Sequence, residues 1–146
     1  RGLCGALLKR KVDGRKLCVF GAHPVWRSGG TDHWAKDVIR RGADLFQECA
    51  AHGAPSSFLC DCNTMDHESV RKQLAETTGW RWKTAVADGY DQIFLQEDPD
   101  PHAASNTHGE GAVHPHAGRR GCKQACSQKK WGYSDHPPVY VEVSPR

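Results

Sequence analysis

Six polar side chains stand where apolar segments of the sequence end. They are His23, Asp61, Asn63, Asp91, Asp135 and His136. Segment 57–63 shows the pattern best, because a short apolar run favours a buried strand and then meets residue types that strands disfavour. Residues two apart on a strand point to the same side, so Asp61 and Asn63 leave this strand end together. The sequence therefore predicts a polar site on a rigid sheet edge.

The size and composition of the chain indicate one domain, or part of one. It has 146 residues, 38% of them hydrophobic, and a formal net charge of +3. This mildly basic balance is compatible with a nucleic acid or a phosphate-bearing partner without requiring one. No apolar run approaches the ~20 residues of a membrane span, and no secretory signal is visible. The sequence begins with Arg1, so we expect a processed chain, a fragment or part of a longer protein.

The cysteines favour a role in the core over a role as ligands. Cys18, Cys49, Cys60 and Cys62 lie in apolar contexts, where cysteine commonly serves as a small buried residue. Seven cysteines are too scattered for a compact disulfide scaffold, and the odd number leaves at least one unpaired within the chain. Reduced thiols would suit a soluble intracellular protein, an organellar interior included. The compartment itself stays unknown.

The first 23 residues predict a β-hairpin. Segments 6–12 and 17–23 flank the turn dipeptide Asp13-Gly14, which is a strong hairpin signal. The second segment is largely apolar and places His23 at a strand end. The basic residues on both sides of the turn are interpreted as a solvated rim, with contact to phosphate as the alternative.

A long helix is predicted between the strand that ends at His23 and the strand that ends at Asp61. Thr31 is a suitable N-cap and Gly53 a natural stop, which gives a helix of about 20 residues. Trp34, Val38, Leu45 and Cys49 mark one side of it, and Ile39, Phe46 and Ala50 widen that stripe. Strand, helix and strand in this order imply a parallel crossover and a layered α/β arrangement.

The next segments predict a shorter helix and three further strands. Thr64 or Asp66 caps a helix that ends at Gly79. Segments 80–84, 90–95 and 139–143 then follow as strands. Trp80 and Trp82 are interpreted as packing residues, and a stacking platform for bases is the alternative.

Residues 97–133 are interpreted as a polar insertion, because Pro, Gly, Ser and His dominate them. Imidazoles and thiolates are the ligands of zinc. The candidate zinc ligands are His114, His116, Cys122 and Cys126. Their spacing matches no standard zinc module, so a Cys122–Cys126 disulfide or a plain insertion is favoured over a metal site.

The ordered motifs resemble those of the endonuclease/exonuclease/phosphatase superfamily, which has the deoxyribonuclease-I-like fold. The family pattern is a strand ending in His, then Gly-Asp-Phe-Asn, then Asp-x-Ile, then Ser-Asp-His-x-Pro-Val. Here the motifs read FGAH at 20–23, CDCN at 60–63, DQI at 91–93 and SDHPPV at 134–139. Order and spacing agree over roughly residues 5 to 143, and the Ser-Asp-His motif is the most specific.

The resemblance implies an α/β (α+β) fold that is half of a four-layer α/β-sandwich, a mixed sheet with helices on one face. Residues 1–146 would be the C-terminal part of a single domain. The family's first half carries an Asn and a metal-binding Glu at strand ends, and only 22 residues precede His23 here. A missing N-terminal half or another protein chain is therefore expected to cover the open sheet face.

The resemblance also implies a phosphoesterase that depends on Mg²⁺ or Mn²⁺, in which water attacks phosphorus and a metal stabilises the leaving oxygen. His136 would act as general base or acid, and Asp91 would orient it through the second ring nitrogen. His23 would contact phosphate or protonate the leaving group.

The remaining family positions would hold the metal and the phosphate. Asp61 would position the nucleophile or a metal, Asn63 would donate a hydrogen bond to a phosphate oxygen, and Asp135 would help hold the metal. Cys60 stands where the family has Gly, and Cys62 where it has Phe. The exchange at Cys60 adds a side chain where the family backbone is tight.

Three functions agree with these residues. The first is a metal-dependent hydrolase of phosphodiester or phosphomonoester bonds, with nucleic acid slightly favoured over a small phosphorylated substrate. The second is a catalytically inactive member of the fold that serves as a structural or accessory subunit of a larger assembly, in an organelle for example. The third is a zinc-stabilised binding module built on the segment from His102 to Cys126.

Overall fold

The computed structural model describes residues 2–24, 32–97, 107–113 and 139–145. Within them the elements follow in the order β1 Leu3–Lys9, β2 Lys16–Ala22, α1 Asp32–Arg41, α2 Ala43–Ala50, β3 Ser56–Asp61, α3 His67–Thr78, β4 Trp82–Asp88, β5 Asp91–Gln96, β6 Thr107–Val113 and β7 Val139–Pro145. None of the helices in these described ranges is both long and apolar enough to cross a membrane.

The first five strands form one mixed sheet in the order β1-β2-β3-β5-β4. The predicted hairpin is confirmed, since β1 pairs with β2 antiparallel across the turn at Asp13-Gly14. The predicted crossover is also confirmed, since β2 and β3 run parallel and α1 and α2 connect them. β5 then pairs antiparallel with both β3 and β4.

The prediction of one helix of about 20 residues is wrong, because the helix is interrupted at Gly42. α1 ends at Arg41 and α2 starts at Ala43. A Cβ atom at position 42 would overlap the side chain of Leu3 on β1. Glycine therefore allows the close approach of this connection to the sheet.

The break also changes which residues of the predicted stripe are buried. Ile39, Phe46 and Cys49 of the stripe are buried, whereas Leu45 is 36% exposed, and Ala35, which was not predicted as part of the stripe, is buried too.

Phe46 is the centre of the core between the helices and the sheet. It is 0% exposed, and its ring centroid lies 4.4 Å from that of Phe20 and 6.5 Å from that of Phe58. Phe58 in turn lies 6.1 Å from Phe94 on β5. Phe20, Phe58 and Phe94 occupy directly opposed positions on β2, β3 and β5, so they share the sheet face that the helices cover.

The two tryptophans belong to this core, as the favoured interpretation predicted. Trp82 is 2% exposed, and its indole N–H donates to Thr78 Oγ1 at 3.0 Å. Trp80 is partly buried, and its ring centroid lies 6.3 Å from that of Phe46. The Trp82 ring is therefore packed inside the protein and the Trp80 ring packs against the same core, which favours packing over a surface for stacking bases.

α3 has the end signals predicted from the sequence. Asp66 is the N-cap, and its side chain accepts a hydrogen bond from the backbone N–H of Ser69 at 2.9 Å. Gly79 closes the helix with φ 74°, a conformation that suits glycine. Val70 and Leu74 are fully buried on its inner face.

The opposite face of the sheet is only partly covered. β6 and β7 form a separate antiparallel pair that lies against β4 and β5, and Ile93 and Leu95 on β5 are buried there. Toward β1 and β2, by contrast, Leu17 and Val19 are only partly buried and Leu8 is 51% exposed. The expected fold class, a mixed sheet with helices on one face, is thus confirmed. β6 lies within segment 97–133, and the rest of that segment is outside the described residues.

The four cysteines that were predicted to be core residues are buried, each 6% exposed or less. They also lie in pairs. The Sγ atoms of Cys18 and Cys49 are within bonding distance, as are those of Cys60 and Cys62. The Cα–Cα distances of 6.3 and 4.9 Å fall in the range of disulfides. The sequence left the redox state of the cysteines open, and the structure joins these four as two disulfide pairs, whereas Cys4 is an exposed thiol.

Truncation of Phe46 tests the location of the core. Phe46→Ala is expected to lower the free energy of unfolding by about 3–5 kcal/mol, because it leaves a cavity among four aromatic rings. Urea unfolding of the complete natural protein measures this. Gln47→Ala, an exposed position on the same helix, is the matched control and should change the value by less than about 0.5 kcal/mol. Equal effects of the two variants would contradict this description of the core.

Candidate functional site

Three of the predicted site residues meet at one edge of the sheet, on one face. β2 and β3 are parallel and end together, with Ala22 opposite Cys60. Asp61 at the end of β3 stands directly opposite Asp91 at the start of β5. Directly opposed residues share a face and alternate residues return to it. His23, Asp61 and Asp91 therefore all belong to the face away from the helices.

His23 and Asp61 are in contact. His23 Nε2 lies 3.3 Å from Asp61 Oδ2, and the side chains are 55% and 19% exposed, respectively. The carboxylate is thus held in the sheet edge while the imidazole reaches solvent. A carboxylate beside one ring nitrogen orients the ring. The pair is suited to presenting an imidazole to an anionic ligand.

Asn63 anchors the chain that follows β3. It is 8% exposed and adopts φ 51°, a left-handed conformation that asparagine tolerates better than most residues. Its Nδ2 donates to the carbonyl oxygen of Pro24 at 3.0 Å. Its backbone N–H donates to Asp61 Oδ1 at 3.2 Å. One side chain therefore ties the residue after His23 to the loop after Asp61.

Gln92 holds the same loop from the other side, and the sequence analysis missed it. Gln92 is 1% exposed, and its Nε2 donates to the carbonyl oxygen of Thr64 at 2.6 Å. The backbone N–H of Cys62 also donates to the carbonyl oxygen of Tyr90 at 2.7 Å. A lone carboxamide inside the apolar strand that follows Asp91 was the available signal, since a buried polar group needs a partner.

Asp88 is a further acidic residue that the sequence analysis missed. It stands opposite Asp91 across the hairpin formed by β4 and β5. Asp61, Asp91 and Asp88 are thus neighbours on three adjacent strands. Like charges directly opposed in a sheet repel, which favours cations at this edge. The period-2 pattern would have identified Asp88 if the predicted strand at 80–84 had been extended to the Asp88-Gly89 turn.

The fit of this edge to a divalent metal is partial. Asp61 and Asp91 offer carboxylate oxygens, the donors that Mg²⁺ and Mn²⁺ prefer. Within residues 2–24, 32–97, 107–113 and 139–145, however, no three His, Cys, Asp or Glu side chains are grouped so that they could hold an ion. Carboxylates are the right kind of donor for such an ion, and the described residues supply only part of a ligand set for it.

The other predicted site residues lie outside the described ranges. They are Asp135, His136 and the four candidate zinc ligands His114, His116, Cys122 and Cys126. The predicted partnership of Asp91 with His136 and the predicted zinc site therefore stay predictions.

Several solved structures are similar to this chain, among them a human and a bacterial protein. The catalytic domain of human Nocturnin, solved with a bound sulfate anion, superposes with a TM-score of 0.60 at 19% sequence identity, over 99% of this chain and 53% of that one. A mannosyl-6-phosphatase of Bacteroides thetaiotaomicron VPI-5482 superposes with a TM-score of 0.54 at 16% identity, over 97% of this chain and 56% of that one. No protein-family profile and no curated protein matches the sequence. The chain shares the fold of these two structures and spans about half the length of each.

Two substitutions at Asn63 separate the contributions of its backbone and its side chain. Asn63→Gly keeps the left-handed conformation but removes the donor to the buried Pro24 carbonyl, which is expected to cost about 1–3 kcal/mol. Asn63→Ala also forces a Cβ residue into that conformation and should cost about 1 kcal/mol more. Urea unfolding should rank the natural protein above Asn63→Gly, and that variant above Asn63→Ala. An alanine variant as stable as the glycine variant would contradict this account.

Proposed function

We propose that this chain forms part of a divalent-metal-dependent phosphoesterase that hydrolyses phosphodiester or phosphomonoester bonds. The observation that carries the proposal is the strand register, which brings His23, Asp61 and Asp91 to one edge and one face of the sheet. These three positions belong to motifs that resemble those of the endonuclease/exonuclease/phosphatase superfamily.

The structural neighbours support the proposal at the level of the fold. One of them is named a phosphatase, and the other is a catalytic domain that binds a sulfate anion. Sulfate has the tetrahedral oxyanion shape of a phosphate ester. A fold found both in a phosphatase and in a domain that binds sulfate is compatible with phosphate chemistry. Because one fold hosts many functions, the function depends on the residues of the site.

The proposed roles are those that the family resemblance implies, and the geometry of the described residues is compatible with them. Asp61 orients the His23 imidazole, whose exposed side chain contacts a phosphate oxygen or protonates the leaving group. Asp91 stands beside Asp61 and orients His136, the proposed general base or acid.

Mg²⁺ or Mn²⁺ would be held by Asp135 with Asp61. Such an ion stabilises charge on the leaving oxygen and activates water. Asn63 donates to a phosphate oxygen with the Nδ2 hydrogen that Pro24 does not use.

The proposal includes a second body of protein on the open sheet face. The chain spans 53% and 56% of its two structural neighbours. Leu17 and Val19 on the partly covered face are only partly buried, and Leu8 is 51% exposed. Apolar surface of this kind normally packs against a partner. We infer that a missing N-terminal half or another chain covers it and completes the site.

A catalytically inactive accessory subunit is the second candidate. The observation in its favour is the bond from Asn63 Nδ2 to Pro24, because it gives a structural use to a residue that the catalytic role would also need. Such a subunit would keep the polar residues for the stability of the loop after β3.

Hydrolysis by the complete natural protein tests the proposed function. With magnesium present, we expect cleavage of a single-stranded oligonucleotide or of p-nitrophenyl phosphate. His23→Ala and Asp61→Asn should each lower kcat/KM by about 10²-fold or more, since proton transfer and orientation are lost. Glu48→Gln, an exposed acidic position on α2, serves as the control and should leave the rate unchanged.

Two results would reject the phosphoesterase. One is a folded natural protein that hydrolyses neither substrate with magnesium or manganese. The other is hydrolysis that survives both site substitutions at the natural rate. The first result, together with stable co-purification with other chains, would favour the accessory subunit.

A further inference from the structure

We propose that the turn between β1 and β2 binds the phosphate backbone of a single-stranded nucleic acid at a distance from the candidate site. This turn, residues 9–16, is called the basic turn below. The inference deepens the proposed function, because it selects nucleic acid from the phosphate compounds that such a site could accept. It rests on three features: the concentration of charge, the opposition of two lysines, and the position of the turn on the sheet.

Positive charge is concentrated in the basic turn. Its charged residues are Lys9, Arg10, Lys11, Asp13, Arg15 and Lys16. Five basic residues and one acidic residue give it a formal charge of +4, whereas the whole chain carries +3. The other residues together are therefore slightly acidic. The basic character of this protein is a local feature, of the kind that attracts a polyanion to one place.

Asp13 organises the turn and neutralises only part of its charge. Arg10 Nε donates to Asp13 Oδ1 at 2.8 Å, and Arg15 Nε lies 3.2 Å from Asp13 Oδ2. The hydrogen bond from Arg10 holds the pKa of Asp13 well below its usual range, so this carboxylate stays charged. The arrangement fixes both arginine side chains around one carboxylate and leaves the lysines at its margin.

Lys9 and Lys16 stand directly opposite each other on β1 and β2. Opposed like charges destabilise a strand pair, and both side chains are exposed. Among the described residues, neither these two lysines nor Lys11 forms an ion pair. A phosphate between Lys9 and Lys16 would relieve their repulsion. Relief of the repulsion between the two lysines would therefore add to the free energy of binding an anion.

The position of the turn selects an extended ligand. β2 runs from the basic turn to His23, a length of about 23 Å at ~3.3 Å per residue. A nucleotide or a sugar phosphate cannot contact both ends. A single nucleic acid strand of several nucleotides can cover this distance. The ligand that fits both the charge and the spacing is such a strand.

Removal of the three lysine charges tests the inference. Anisotropy of a fluorescent 15-nucleotide RNA, with EDTA present so that hydrolysis plays no part, gives the affinity of the complete natural protein between 50 and 200 mM salt. Each lost phosphate contact lowers the slope of log K against log salt by about 0.7. For the triple variant Lys9→Gln, Lys11→Gln and Lys16→Gln, we expect a slope lower by about 2. The natural protein should then lose about 20-fold more affinity than the variant over this range.

A matched variant removes the same charge elsewhere. Arg40, Lys72 and Arg81 are exposed basic residues outside the basic turn, and their triple replacement with Gln should leave the slope near the natural value. A trinucleotide, which is too short to reach both ends of β2, should bind the natural protein more weakly than the 15-nucleotide RNA does. All six positions are exposed, and unfolding midpoints close to the natural value will show that the variants are folded.

Three outcomes would overturn the inference. The first is an unchanged salt slope in the lysine variant, and the second is an equal drop in the matched variant. The third is a lysine variant that binds RNA as the natural protein does but no longer binds vesicles containing phosphatidylserine. That result would assign the turn, with its 92% exposed Val12, to a membrane surface.

Because RNA binding is measured without metal, it is tested separately from catalysis. A protein that shows no hydrolysis but binds RNA through the basic turn would support the binding proposal and reject the phosphoesterase. A protein that hydrolyses phosphate esters but whose lysine variant has an unchanged salt slope would support the phosphoesterase and reject the binding proposal.

Discussion

The candidate site depends on the register in which β2, β3 and β5 pair. A shift of one residue in either pairing would turn a site side chain to the opposite face, where the aromatic core lies. Phe58 is held between Phe20 and Phe94 by that register, and its burial against Phe46 opposes any shift. The same packing that stabilises the sheet therefore also places His23, Asp61 and Asp91 together. The stability of the sheet and the arrangement of the candidate site therefore depend on the same strand register.

The loop after β3 converts this register into a rigid edge. A left-handed Asn63 bonded to Pro24 and a buried Gln92 bonded to Thr64 hold the loop from two sides. Buried polar groups of this type are costly unless they are paired. Their pairing here keeps Asp61 and His23 at a constant separation, which catalysis or ligand binding at a sheet edge requires.

The two ends of β2 have opposite character. His23 and three neighbouring aspartates lie at one end, where a cation and a phosphate would be bound together. The basic turn lies at the other end, where a phosphate backbone needs no metal. If the basic turn binds a phosphate backbone as proposed, this separation along one strand would hold a long anionic ligand at a place remote from the candidate site. A chain with a modest net charge would then prefer a polymer over a small phosphate compound.

Local patterns in the sequence determined the hairpin at Asp13-Gly14, the limits of α3, the parallel crossover and the strand ends that carry His23, Asp61 and Asp91. Each follows from residue periodicity or from turn and cap residues, which act over a few positions. The tertiary structure decided the rest. The approach of Gly42 to Leu3, the pairing of Cys18 with Cys49 and the placement of Asp61 opposite Asp91 join residues 30 or more positions apart. No local pattern in the sequence encodes such a contact, so only the folded structure shows it.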